Sequence, residues 1–282
     1  MRYTVRAPGS LGDCLVRLFA EASARARKQM LGTGRVRVNG APVRNPTTAL
    51  AAGDVVEVGA PAPRAALPAR LRLVHEDDDV LVVDKPAGLL TIATERERER
   101  TAYAYLTARA RARKPPGRIF VVHRLDRLAS GLLVFATSAN AKRVLQAQFA
   151  RHGVERVYLA LVEGRLARSE GTIRSRVVED APGRVHETRD PERGRSAVTH
   201  WRVRRAGTSH TLLEVRLETG RRNQIRVHLG GIGHPIAGDR AYGSRTDPLG
   251  RLGLHAHVLG FDHPCTGARL RFVSPAPGRF WP

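Results

Sequence analysis

Apolar residues return at two different spacings along this 282-residue chain, and each change of spacing marks a new element. Between Leu11 and Met30, Leu15, Leu18 and Phe19 recur at helical intervals, which predicts a short amphipathic helix. The Ala- and Arg-rich residues after them predict a second, with its basic side outward. In GRVRVNG, Val36 and Val38 alternate with Arg35 and Arg37 ahead of Asn39-Gly40, the pattern of a tight hairpin. Gly53-Asp54 then introduces VVEV, another short strand. Two helices and a hairpin over residues 1–60 form a small α/β domain of a size that can fold.

The stretch Gly59 to Arg70 is rich in Pro and Ala and has neither period, so residues 61–70 read as a linker. Beyond it, VLVVD, IFVVH, GLLVFA, YLALVEG and HTLLEVRL are short apolar runs separated by turns. One clear helix follows Ser138, which caps it, and buries Val144, Leu145 and Phe149. This order predicts an α+β fold over 71–282, built on a mostly antiparallel mixed sheet. TERERER, from Thr94 to Arg100, reads as a solvated loop or a helix start. There is no internal repeat.

Composition adds a partner to this outline. A hydrophobic share of 42% supports a substantial core, while 48 Lys+Arg against 26 Asp+Glu leave a formal net charge of +22. Such an excess implies an anionic partner, and a polyphosphate fits because guanidinium groups displace its counterions. An Arg-rich coding bias explains Arg in place of Lys and explains less well the shortage of acids. Charge does not separate RNA from DNA. Cys14 and Cys265 lie far apart and form no ligand pair or disulfide framework, so both are expected to be buried small hydrophobes in a reducing cytosol. The opening MRYTVRAPGS has no signal-peptide core and no apolar run approaches membrane-spanning length, so a cytoplasmic protein with no membrane partner is expected. Gly9-Ser10-Leu11-Gly12 lacks the Lys of a phosphate-binding loop. His255, His257 and His263 suit a strand or turn as well as a ligand set, and no metal is expected.

Two stretches carry chemistry. In VVHRLDRLASGLLVFA an apolar strand runs into His123-Arg124-Leu125-Asp126-Arg127, and Ser130-Gly131 opens the next strand, which puts Asp126 on a loop between buried strands. Cations at Arg124 and Arg127 favour the ionised carboxylate, which can then act as nucleophile or base. A turn aspartate held by salt bridges is the other reading. Further on, ETGRRNQIRVHLGGIGHPIAGDRAYG brings Arg221, Arg222, Gln224, Arg226 and His228 into a short span, so that basic groups would crowd one surface suited to phosphate. Glycines at 230, 231, 233 and 238 either permit close approach of a nucleotide or are ordinary turn residues beside a solvated helix.

Taken together, these segments resemble the RluA-type pseudouridine synthases. HRLDRLASGLL is similar to their His-Arg-Leu-Asp signature, GRRNQIRVHL to their Gln-Ile-Arg-Val-His segment, and GHPIAGDRAYG to their Gly-His-Pro-Ile segment. VLVVDKPAGLL around Lys85-Pro86, VERVYLALVEG around Tyr158 and LHAHVLGFDHP fall in the family's order, so the likeness covers roughly residues 71–282. It implies that Asp126 is the essential carboxylate, Tyr158 the aromatic beside the target base and Arg226 the cation paired with Asp126. It also implies that Arg124 enters the space left by a flipped nucleotide. His123, Arg127, Arg221 and Gln224 complete the RNA-facing set. The reaction it implies needs no cofactor and no metal.

A guanidinium paired with Asp126 would hold that carboxylate in a fixed fork. The target base would have to leave its stack. Three positions depart from the family pattern: Ala129 where Thr is usual, Arg222-Asn223 where Thr-His is common, and Thr91 where His is often found. Residues 1–60 resemble the small RNA-binding domain named after ribosomal protein S-four, through SARARKQMLGTGRVRVNG and LAAGDVVEV. That likeness implies a basic face of Arg25, Arg27, Lys28, Arg35 and Arg37 for structured RNA, most naturally ribosomal. The rival readings are a transfer-RNA enzyme, a non-catalytic RNA-binding assembly factor and a DNA-binding regulator. For the last there is no recognition helix.

Overall fold

The computed structural model describes residues 1–32, 34–59, 70–113, 116–180, 184–278 and 280–281. The chain divides into two compact units, Met1–Ala65 and Ala66–Pro282. Of the expected linker, all but Arg70 lies outside the described residues.

In the first unit β1 (Arg2–Thr4) and β2 (Gly9–Ser10) precede α1 (Leu11–Leu18) and α2 (Ala24–Gly32), and β3 (Val36–Val38), β4 (Ala41–Pro42), β5 (Ala49–Leu50) and β6 (Val55–Val58) follow. Ser10 starts α1, because its hydroxyl accepts the Asp13 amide at 3.1 Å. The hairpin turns on Asn39 and Gly40, whose φ values of 51° and 81° are those a tight two-residue turn requires. Four strands pair in the order β1-β6-β3-β4. Leu11, Cys14 and Leu15 from α1 close a core with Val36, Val56 and Val58.

The second unit contains β7 (Arg72–Glu76), β8 (Val80–Lys85), α3 (Ala102–Arg111), β9 (Phe120–Val121), β10 (Ser130–Ala136), α4 (Ala139–Ala150), β11 (Glu155–Glu163), β12 (Glu170–Asp180), β13 (Arg184–Thr188), β14 (Arg195–Ala206), β15 (His210–Leu217), α5 (Gln224–Gly231), a 3₁₀ turn over Arg240–Tyr242, β16 (Leu254–Asp262) and β17 (Arg269–Val273). Its sheet runs β13-β12-β14-β15-β11-β16-β10-β8-β7, with β17 on β16 and β9 on β10. The β10–β16 pair is parallel and the other pairs are antiparallel. At that parallel join Gly131 has φ +108°, and a Cβ there would lie 2.2 Å from the Ala256 carbonyl oxygen, so only glycine lets the strands meet.

The fold is thus α+β with a largely antiparallel mixed sheet, as the spacing predicts. Three details differ. The strands β12 to β14 and the helix α3 carry too few apolar residues in phase to show as runs. The expected IFVVH strand pairs only over Phe120–Val121. In α4, capped by Ser138, the buried face is Ala141, Leu145 and Gln148, while Val144 and Phe149 are half-buried. Cys14 is buried but Cys265 is exposed, which corrects the expectation for the second cysteine. Residues 94–100 form a loop, with Glu97 accepting the Glu99 and Arg100 amides.

Candidate active site

Asp126 sits on the loop between β9 and β10, over a core that includes Leu125, Ala129, Tyr158 and Ile225. The recess around it is lined by Arg124, Asp126, Tyr158, Arg221, Asn223 and Arg226. Each wall comes from a different element, and each is held by identifiable contacts.

The floor of the loop is fixed from beneath by Lys85, the last residue of β8. Its side chain is fully buried, and its ammonium donates to the carbonyls of Pro86 at 3.0 Å, Leu89 at 2.9 Å, Arg127 at 3.3 Å and Ala129 at 2.6 Å. Burial pulls its pKa down to about 7, opposed by the charge of Asp126. Thr91 adds a second tie. Its hydroxyl donates to the Leu125 carbonyl at 2.8 Å and accepts the Leu125 amide at 3.2 Å. Two of the departures from the family pattern therefore support the loop. Thr91 clamps the residue before Asp126, and Ala129 offers a carbonyl to Lys85.

Tyr158 projects from β11 into the same recess and is 8% exposed. The register of β11 on β16 shifts here, so that Val157 faces Val258 but Tyr158 faces Ala256 and His257 is passed over. Burial raises the phenol pKa, Arg156 lowers it and Asp126 raises it, with a net rise that keeps the hydroxyl protonated.

Arg226 reaches the site from α5. Its Nη1 lies 3.6 Å from Asp126 Oδ2. The expected fork on Asp126 is not what forms. Nε and Nη2 instead take both oxygens of Asp239, at 2.7 and 2.8 Å, Nη1 donates to Asn223 Oδ1 at 3.0 Å, and the Tyr242 ring lies 4.8 Å from the guanidinium carbon. Burial alone would lower the Arg226 pKa, but Asp239 and then Asp126 raise it above its ordinary value.

The basic surface expected of the 221–228 stretch forms in part: Arg222 is exposed and Arg221 and Arg226 line the recess, while Gln224 and His228 turn inward. Gln224 is 2% exposed, its oxygen accepting Thr219 Oγ1 and the Arg221 amide and its nitrogen donating to Val198 and Thr199. His228 is fully buried between the Ser175 and Thr199 hydroxyls, and burial pushes its pKa down to about 4. Of the glycines, Gly230 abuts the Tyr242 carbonyl and Gly238 the Arg251 carbonyl, which is packing and not an open cradle. His123 is also an inward residue. It accepts the Val134 amide at 3.2 Å and stacks on Phe149 at 4.6 Å, and burial pushes its pKa down to about 3. Arg124 is exposed on the rim, Arg127 donates to the Gly88 carbonyl and Arg221 to that of Ser196.

In the first unit Lys28 and Arg37 are exposed, Arg35 holds the Gly59 carbonyl, and Arg27 caps the Phe19 and Ala22 carbonyls; the side chain of Arg25 lies outside the described residues. Among the described residues no group of three His, Cys, Asp or Glu could hold a metal. His255 and His257 both bond the Ser274 carbonyl, and His263 pairs with Asp77. No helix among the described residues is long and apolar enough to cross a membrane.

Sequence reasoning named Lys85, Thr91 and Asn223 within family-like segments but gave them no role, and it did not single out Asp239. The signal for Asp239 was an acid next to Arg240 in the GHPIAGDRAYG stretch.

A sequence model of the RNA pseudouridylate synthase family matches residues 79–230, which take in the elements of the second unit from β8 to α5 and none of the first unit. An uncharacterized RNA pseudouridine synthase of Bacillus subtilis, YlyB, is 38% identical over 89% of this chain and 84% of its own length. The ribosomal large subunit pseudouridine synthase D of Vibrio cholerae is 33% identical over 95% and 87%. The solved human RNA pseudouridylate synthase domain containing 4 superposes with a TM-score of 0.61 at 24% identity, over 74% of this chain and 89% of that one, a likeness of fold. With an open carboxylate, an aromatic and a shared cation on the matched segment, this chain belongs to the RNA pseudouridylate synthase family.

Proposed function

We propose that this chain converts uridine to pseudouridine in structured RNA, specifically large-subunit ribosomal RNA, and that Asp126 is the reacting group. The observation that carries the reading is the placement of Asp126: a carboxylate on a loop at an open recess, with one guanidinium nitrogen and one buried phenol facing it. The names of the matched relatives, several of them ribosomal large subunit enzymes, support the RNA class.

In this reading the base leaves its stack and enters the recess, and Arg124, exposed at the rim, fills the space behind it. The bond from uracil nitrogen 1 to the sugar breaks, the ring turns, and carbon 5 bonds to the same sugar carbon. The proton that carbon 5 gives up is matched by the one nitrogen 1 gains, so the product is an isomer. Asp126 either attacks the anomeric carbon or removes a neighbouring sugar proton. Tyr158 supplies a flat face for the base, and Arg226 places a positive charge beside the carboxylate. Arg127 and Arg221 would meet flanking phosphates. The first unit, with Lys28 and Arg37 outward and Arg25, Arg27 and Arg35 on the same helix and hairpin, would hold the RNA by its backbone, as a domain of the ribosomal protein S-four type would.

The test is purified protein on transcribed large-subunit RNA, with pseudouridine quantified by mass. Wild type is expected to form it, and Asp126→Asn to lose at least about a thousandfold in rate. Equal product from both would sink Asp126 as the reacting group, and no product from a wild type that still binds the RNA would leave an RNA-binding assembly factor in its place.

A further inference from the structure

Arg226 has two acidic neighbours and does not treat them alike. The fork goes to Asp239, and the residue the mechanism needs receives a single, longer contact. We propose that Asp239 is a positioning residue that holds Arg226 off Asp126, a proposal that rests on the reading of Asp126 given above.

Asp239 is built for this. It is 2% exposed, and its backbone is fixed at the start of the 3₁₀ turn, where its amide donates to Ile236 and its carbonyl accepts the Tyr242 and Ser244 amides. With Nε and Nη2 committed to Asp239, Nη1 committed to Asn223 and one face against Tyr242, the guanidinium has little freedom to rotate onto Asp126. That restraint matters chemically. Whether Asp126 bonds to a sugar carbon or takes a sugar proton, its carboxylate gives up charge in the step, and a bidentate guanidinium would stabilise the starting charge at the expense of the transition state. A single contact at 3.6 Å sets a cation beside Asp126 without the fork that would hold it in place. The other groups facing Asp126 are Lys85 from β8, Tyr158 from β11, and Arg124 and Arg221 on the recess wall. Among the described residues the Asp239 carboxylate bonds Arg226 and none of these groups, so a change at Asp239 reaches Asp126 through Arg226 and through the charge that Asp239 itself carries.

The test uses the full chain in five forms: wild type, Asp239→Asn, Asp239→Glu, Asn223→Gly and Asp126→Asn. The first readout needs no turnover. It is a carbon-13 titration of the Asp126 side-chain carboxyl, assigned by its disappearance in Asp126→Asn. In Asp239→Asn the freed guanidinium and the lost negative charge both act on Asp126, so its titration midpoint is expected to fall by about one pH unit. A merely loosened Arg226 would leave Asp126 without its cation and move the midpoint up.

The second readout is single-turnover pseudouridine formation. It is expected to slow about tenfold in Asp239→Asn, with KM for RNA changed less than about twofold and with Asp239→Glu recovering much of the rate. Asn223 has φ 52°, a backbone that glycine accepts, so Asn223→Gly folds and is expected to shift the midpoint downward by a smaller amount. It decides the matter if Asp239→Asn does not fold. A midpoint unchanged or raised in these variants overturns the proposal. Variants that shift the midpoint downward as expected, in a protein whose wild type forms no pseudouridine, overturn the functional reading alone.

Discussion

Lys85 ties two loops together with one charge: the turn from Pro86 to Leu89 and the stretch from Arg127 to Ala129 both give it carbonyls, and Asp126 lies between them. Lys85→Met keeps the volume and strands those carbonyls in a buried site, so unfolding in urea is expected to show a loss of about 3 kcal/mol. The pH dependence has a definite sign. The folded lysine gives up its proton near 7 and the unfolded one near 10.5, so between those values the unfolded chain binds more protons and stability rises with pH. Lys85→Met should remove that rise. None of this was legible in VLVVDK, where a lysine at the end of an apolar strand reads as the point at which the strand reaches water. By contrast, the loop position of Asp126 could be read directly, because apolar runs bracket it on both sides. The Arg226 contact came only with the family resemblance, and its division between two acids could not be read from either.

At the scale of the element, α5 is the instructive case. Its residues alternate Gln224, Arg226 and His228 with Ile225, Val227 and Leu229, a spacing that defines no helical face, and its cations suggested an exposed surface. The polar members instead find partners inside: Gln224 and His228 meet at Thr199, and Arg226 meets Asp239. The helix is pinned from within, which is how a short element can aim a guanidinium. A protonation test follows. His228 and His123 titrate near 4 and 3 in the fold and near 6.5 when unfolded, so their contribution is complete above 6.5 and is lost as the pH falls towards 4. Denaturation curves across that window should show falling stability, and His228→Gln should flatten the slope. The strands β12 to β14 escaped sequence reading for the opposite reason. Arginines at 174, 176, 202 and 204 sit on sheet surface that is wet on one side, so the apolar half of the alternation is sparse.

For the molecule as a whole, the charge of +22 was the first sign of function and remains the most general. Affinity for structured RNA should fall linearly on a logarithmic salt axis, and Arg37→Ala or Lys28→Ala should each reduce that slope by about 0.7 to 0.9 if the side chain meets a phosphate. Equal slopes in wild type and both variants would remove the first unit from the RNA contact.

The shifted register beside Tyr158 constrains what the gene can become. Along β11, Tyr158, Ala160 and Val162 share the core beneath the recess, and their neighbours Leu159 and Leu161 point the other way. Strand parity means that losing or gaining one codon upstream of the pairing with β15 would trade every one of these places at once. A single-codon deletion within β11 past the bulge would have to be absorbed by a new irregularity, and it should be among the least tolerated changes in a saturation library.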